Sequence, residues 1–168
     1  TADAVQNLGW GALTWGASQW GTSRPDTGPY SPATTWSLDT WGQYLLGCST
    51  SDGKIYVWIN NTSNAATVIS QAPTGNNAII TTDERFVFAL GAGGEGNRVE
   101  WCDQEDYTTW TASATNQAGG FTLATGGNIV AARSLRGETL ILTNVDAHVA
   151  RYQGPPYVYG FQRVGTGC

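Results

Sequence analysis

The sequence is poor in the residues that build helices. It has no methionine and only one lysine, Lys54, and charged residues make up 12% of its 168 positions. Helical domains draw heavily on Lys, Glu, Leu and Met, because these side chains lose little freedom in a helix. No window shows apolar residues at helical spacing between caps. The sequence therefore predicts almost no helix, and 103–107 is the one place where a short helical turn is allowed.

The chain also lacks a basic cluster and a long apolar run. Its net charge is −5 and its seven arginines are spread singly, which disfavours binding to a phosphate backbone. No stretch approaches the roughly 18 apolar residues of a spanning helix, and the first residues do not form a signal peptide. We therefore expect a soluble protein with no membrane insertion and no direct recognition of nucleic-acid sequence.

Cysteine is scarce. Cys48, Cys102 and Cys168 are an odd number and form no CxxC pair. The spacing favours three reduced, buried thiols, and one disulfide with one free thiol is the alternative. The abrupt ends at Thr1 and Cys168 suggest a segment of a longer protein.

Glycine and β-forming residues are abundant instead. Asp52-Gly53 lies between two β-rich runs, which is a strong hairpin signal. A strand at 35–39 is assigned to a preceding repeat unit. The other predicted strands are 44–49, 54–59, 78–82, 85–90, 98–102, 120–123, 128–134, 139–143, 148–152 and 157–164.

These hairpins recur along residues 36–168. Repeat units start near residues 44, 78 and 128, and their spacings bracket the 40 to 50 residues of a four-stranded propeller blade. We therefore predict an all-β domain of repeated antiparallel hairpins and meanders with about three blade-like units. A β-propeller-like arrangement is favoured, and a β-sandwich is the alternative.

Residues 1–35 have a different composition. Trp10, Trp15 and Trp20 recur every five residues, each followed by glycine, and this spacing fits neither a helix nor a strand. We predict an extended, irregular Trp-Gly-rich arm whose indoles contact a partner chain. A stacking platform for sugar rings is the alternative.

Candidate chemistry is sparse. Asp103, Glu105 and Asp106 form the one dense carboxylate group, for which a solvated turn is expected and a glycosidase pair or a Ca²⁺ site are the alternatives. His148 is the sole histidine and is expected to be a structural strand residue. No catalytic, cofactor-binding or metal-binding residue is predicted, and the chain is not expected to be an enzyme.

Several segments carry a resemblance. The segment RVEWCDQEDYTTWTASATNQAGGFTL (98–123), with 36–58 and 154–167, is similar to structural proteins of tailed-bacteriophage virions. In 51–58 and 106–110 the sequence also resembles the Asp-box turn of sialidases, which is structural even in those enzymes. The virion resemblance implies a nozzle-like or hub-like tail component with propeller-like repeats, assembled as a ring of identical copies.

The function expected from this resemblance is structural. The chain would be a virion protein of the tail or neck, assembled in the host cytoplasm through contacts with its own copies and with other virion proteins. A carbohydrate-binding β module that uses exposed aromatic residues is the alternative, and a glycosidase fragment is a second one.

Overall fold

Twelve strands make up three antiparallel sheets in the computed structural model, which describes residues 34–167. Sheet I contains β1 (Trp36–Trp41), β2 (Tyr44–Ser49), β3 (Ile55–Trp58) and β4 (Thr67–Val68). Sheet II contains β5 (Ala78–Thr81), β6 (Val87–Leu90), β7 (Arg98–Trp101) and β8 (Gly119–Thr122). Sheet III contains β9 (Ile129–Leu135), β10 (Glu138–Thr143), β11 (Asp146–Gly154) and β12 (Val158–Thr166). Strand order follows the chain in each sheet, so each is an open meander.

Tight turns connect neighbouring strands at the positions where left-handed backbone is needed. Arg136 and Gly137 both have positive φ, 52° and 81°, and they join β9 to β10 in a two-residue turn. Positive φ at both central positions matches the right-handed twist of the paired strands. Gly53, predicted as a hairpin residue, also has positive φ, and a Cβ there would lie 2.4 Å from the Cα of Gly75. Glycine is therefore required at position 53 for both conformation and space.

The prediction of an all-β domain is confirmed, and every predicted strand has a counterpart in the structure. The assignment of 35–39 to a preceding unit is wrong. Trp36 pairs with Ser49, and a two-residue turn at Gly42 and Gln43 makes β1 the first strand of sheet I. The two-residue strand β4 was missed. Within the described range, no helix has the length and apolar character to cross a membrane.

The short helical turn allowed near 103–107 does not form. Asp103 and Asp106 form an isolated antiparallel bridge, and the short 3₁₀ turn lies at Ala92–Gly94. Asp103 Oδ1 accepts the backbone N–H of Gln104 at 2.9 Å, and Asp106 Oδ1 accepts that of Thr108 at 2.9 Å. These local side-chain bonds offer the backbone N–H groups an alternative to helical partners.

The core has two halves, one on each face of sheet II. Every residue from Phe86 to Leu90 is fully buried, so β6 is covered on both sides. One half packs sheet I on sheet II and the other packs sheet II on sheet III. The first contains, among others, Leu46, Cys48, Ile55 and Val57 of sheet I with Ile79, Val87 and Ala89 of sheet II. The second contains Ile80, Phe88, Leu90, Val99 and Trp101 of sheet II with Ala132, Ile141, Ala150 and Tyr159 of sheet III.

Tyr159 of sheet III contacts sheet II and its connecting loop through both its ring and its hydroxyl. The ring meets Phe88 edge to face, with centroids 4.7 Å apart. The hydroxyl lies 2.9 Å from Thr82 Oγ1 and donates to Glu84 Oε2 at 3.1 Å. A buried tyrosine needs such a polar partner, and the aromatic pair adds roughly 0.5–1.5 kcal/mol beyond area burial.

The first strands of the three sheets are neighbours, because β5 lies against both β1 and β9. Ser37 Oγ donates to the Ile79 carbonyl at 3.1 Å. The backbone N–H of Thr81 donates to Asp39 Oδ2 at 2.6 Å. Sheets I and II are therefore joined at β1 and β5 by polar contacts as well as by the core.

Candidate interaction site

Sheet I presents an apolar face that points away from sheet II. Leu38, Gly47, Tyr56 and Val68 stand opposite one another across the four strands, so their side chains share this face. We call it the outer face of sheet I. Its apolar side chains are those of Trp36, Leu38, Leu45, Tyr56, Trp58 and Val68, and the exposed Thr40 stands opposite Leu45.

Several side chains on this face contact one another. A Cβ at Gly47 would lie 3.0 Å from Leu38 Cδ2 and 3.6 Å from Trp36 Cε3, so both side chains lie over this glycine. The rings of Trp36 and Tyr56 have centroids 5.8 Å apart. Trp36 is nevertheless 50% exposed and Leu38 60%. Contiguous exposed apolar patches are common at interaction sites, so this face is the candidate site.

Polar groups fix the two aromatic side chains on β3. Tyr56 Oη donates to Asp52 Oδ2 at 2.6 Å, and this bond lowers the pKa of Asp52 and raises that of Tyr56. Trp58 Nε1 donates to the carbonyls of Asn61 and Asn64, both at 3.1 Å. The face is therefore pre-organised, which lowers the entropic cost of binding.

Sheet III presents a second outward face. Leu140 pairs with Val149, and Leu142 pairs with Ala147, at the centre of the sheet. None of these four side chains belongs to either half of the core. Arg151 and Glu138 form an ion pair beside them, with Nε and Oε1 2.6 Å apart. The outer face of sheet III consists of Ala131, Arg133, Leu135, Glu138, Leu140, Leu142, Ala147, Val149, Arg151 and Gln162.

An aromatic groove lies between the outer strands of sheets II and III. Its volume is about 460 Å³, within the range of small-ligand sites, and Trp101, Phe121, Tyr157 and Phe161 are among its lining residues. Phe121 and Phe161 stack with centroids 4.6 Å apart and an interplanar angle of 2°. A Cβ at Gly119 would lie 2.9 Å from Trp101 Cζ2, so glycine lets the indole pack closely on β8.

The three carboxylates of the acidic group predicted at 103–106 bind protein groups around their loop. Asp103 Oδ1 also accepts the backbone N–H of Gln117 at 2.8 Å. Thr108 and Thr109 donate their hydroxyls to the Asp106 carboxylate, and the bond from Thr108 lowers the pKa of Asp106. Glu105 Oε2 lies 3.3 Å from Arg85 Nε. The expected turn is confirmed, and the three carboxylates have separate partners.

The remaining predicted residues have plain structural positions. Cys48 and Cys102 are buried free thiols, as expected, and burial raises their pKa values to about 11 and about 12. The other predicted thiol, Cys168, lies outside the described residues. Among residues 34–167, no group of three or more His, Cys, Asp or Glu side chains is placed to hold a metal ion.

Trp10, Trp15 and Trp20, the predicted contact residues, lie outside the described residues, and their role stays a prediction. Sequence reasoning missed the outer face of sheet I. The signal was present in Trp36–Trp41, where large apolar residues occur on both faces of one strand. A strand that is apolar on both faces requires a packing surface on each side.

The sole histidine, His148, is buried in β11 beside Asp146. Its Nε2 lies 3.1 Å from Asp146 Oδ1 and 3.1 Å from Thr125 Oγ1. Thr143 Oγ1 donates to the same carboxylate oxygen at 2.5 Å, and this bond is the main cause of the lowered pKa of Asp146. The structural role expected for His148 agrees with this position in a strand. The cluster holds the turn between β10 and β11.

No protein family, curated protein or solved structure matches the chain.

The lowered pKa of Asp146 predicts an acid-sensitive fold. The ionised carboxylate stabilises the folded state above its ordinary pKa of 3.8, and this stabilisation is lost as the pH falls through the lower folded-state pKa. Asp146→Asn should reduce the free energy of unfolding at pH 6 and flatten its decline between about pH 5 and pH 2. Urea titrations across this range measure both effects. Parallel pH dependences for the two proteins would contradict the assignment.

Proposed function

We propose that the chain is a structural protein that acts by assembly rather than catalysis, as a component of a bacteriophage tail or neck. The observation that carries the assembly role is the outer face of sheet I. This face carries aromatic and aliphatic side chains, of which Trp36 and Leu38 are half or more exposed. Binding by a partner removes this apolar surface from water at about 25 cal/mol per Å².

We also propose that the three sheets are blades of a propeller-like array. Each sheet is a four-stranded meander, and β5 lies between β1 and β9. In a propeller, first strands lie next to one another around a centre, and neighbouring blades pack face to face. The two halves of the core, on opposite faces of sheet II, support this arrangement.

The virion location rests on the resemblance of residues 98–123, 36–58 and 154–167 to tail proteins. The partners proposed on this basis are copies of the same chain and other virion proteins. Loops held by internal hydrogen bonds open less readily than loops without them. Asp103 and Asp106 contribute such bonds in the segment that carries the resemblance.

A charge on the outer face of sheet I should weaken assembly. We expect Leu38→Glu to raise the dissociation constant of the wild-type oligomer by roughly tenfold to a hundredfold, because one apolar contact of about 1.5–3 kcal/mol is lost. Light scattering coupled to size exclusion, over a concentration series, measures this change.

The matched control is Val145→Glu. Val145 is 47% exposed in the turn after β10 and lies outside the outer face of sheet I, so the same change of character there should leave the oligomer intact. Circular dichroism establishes that both variants fold. A wild-type chain that stays monomeric at every concentration would contradict the assembly role.

Carbohydrate binding is the second candidate, and the aromatic groove favours it. Tyr157 is 77% exposed at the rim, and Gln153 is a polar side chain in the lining. Sugar rings stack on such aromatic faces while amide and hydroxyl groups bond to their oxygens.

Isothermal titration with cellohexaose and chitohexaose tests this candidate. Tyr157→Ala should abolish binding, because the exposed ring is the stacking surface, whereas Tyr44→Ala on sheet I should leave it unchanged. Absence of heat with the wild-type chain, or equal binding by both variants, would exclude the groove as a site for these sugars.

A further inference from the structure

The packing inside the chain follows a repeated pattern. In each of sheets I and II, the two central strands carry two directly opposed pairs of side chains that are all buried and all apolar or thiol. These pairs pack on the next sheet along the chain. They are Leu46 with Val57 and Cys48 with Ile55 in sheet I, and Phe88 with Trp101 and Leu90 with Val99 in sheet II.

Sheet III has the same arrangement on its outer face, whose side chains belong to neither half of the core in residues 34–167. Its central strands carry Leu140 opposite Val149 and Leu142 opposite Ala147. Leu140 and Leu142 are partly exposed and Val149 and Ala147 are buried, and all four side chains lie outside both halves of the core. Sheet III therefore has the surface that sheets I and II use to receive a following sheet, with no following sheet in residues 34–167.

The outer face of sheet I is the complementary surface. Within the chain, sheet II packs on sheet I through the face that carries Ile79, opposite Ala89. The corresponding face of sheet I carries Leu38, opposite Gly47. In both sheets a large aliphatic side chain of the first strand faces a small residue of the second. The two ends of the stack therefore present surfaces of the two kinds that already meet inside it.

We infer that a second copy of the chain continues this stack, with the outer face of sheet III of one copy packed on the outer face of sheet I of the next. This inference rests on the proposed assembly role and specifies its geometry. Each copy then uses two different surfaces. Such head-to-tail contacts produce a ring when the rotation closes and a filament when it does not.

The size of the faces favours two contacts per copy over a simple dimer. Trp36, Leu38 and Val68 are 50%, 60% and 45% exposed. At about 150–250 Å² for a large side chain, these three exposed fractions offer roughly 300 Å². A standard interface buries about 800 Å² per partner. One contact alone is therefore weak, and a ring stabilises each copy through two.

Mixing two variants of the full chain tests this geometry. Leu38→Glu disables the outer face of sheet I, and Leu140→Glu disables that of sheet III. Leu135→Lys, at a residue that is 52% exposed on the outer face of sheet III, serves as a second variant in case Leu140→Glu impairs folding. Analytical ultracentrifugation of each variant alone and of a 1:1 mixture gives the masses.

We expect each variant alone to be monomeric. At protein concentrations high enough for a single weak contact, we expect the mixture to contain a species of twice the monomer mass, because one intact face of each kind remains. A variant that assembles alone, or a mixture that stays monomeric, would overturn the head-to-tail geometry while an oligomeric wild-type chain still supports the assembly role. A monomeric wild-type chain would overturn both proposals.

Discussion

Burial of β6 on both faces is the constraint on which the rest of the structure depends. A strand covered on both sides has no side chain in water, so Phe86 to Leu90 are all apolar and all fully buried. One further sheet must therefore lie on each side of sheet II. The alternation of side chains along β6 assigns each residue to one of these two sheets. Val87 and Ala89 meet sheet I, and Phe88 and Leu90 meet sheet III.

The same constraint leaves one face uncovered at each end of the stack. Three stacked sheets have six faces, of which the core covers four, so the outer faces of sheets I and III remain. Leu38 on one outer face and Leu140 on the other are aliphatic side chains of the kind that fills the core. Interior packing and the proposed assembly are therefore one kind of contact, and polar clusters such as Asp146 with His148 hold the connecting loops.

The strand positions could be predicted because turn residues and β-forming runs are local signals. Asp52-Gly53 and Arg136-Gly137 marked their turns correctly. The pairing of β1 could not be predicted in the same way, since Gly42-Gln43 is a weaker turn signal, and two-residue β4 leaves almost no pattern. The aromatic groove joins Trp101 to Phe121 and Tyr157, which are distant in sequence, and only packing brings them together. The outer face of sheet I likewise depends on which side of β1 sheet II covers.

Hydrogen exchange of the backbone amides tests the central position of β6 most directly. If sheet II is the covered centre of the stack, the amides of Phe88 to Leu90 exchange only through global unfolding and are the slowest in residues 34–167. Those of the edge strand β4, Thr67 and Val68, are exposed and should exchange at least about a hundredfold faster. Equal exchange rates in β6 and β4 would contradict the stacked arrangement.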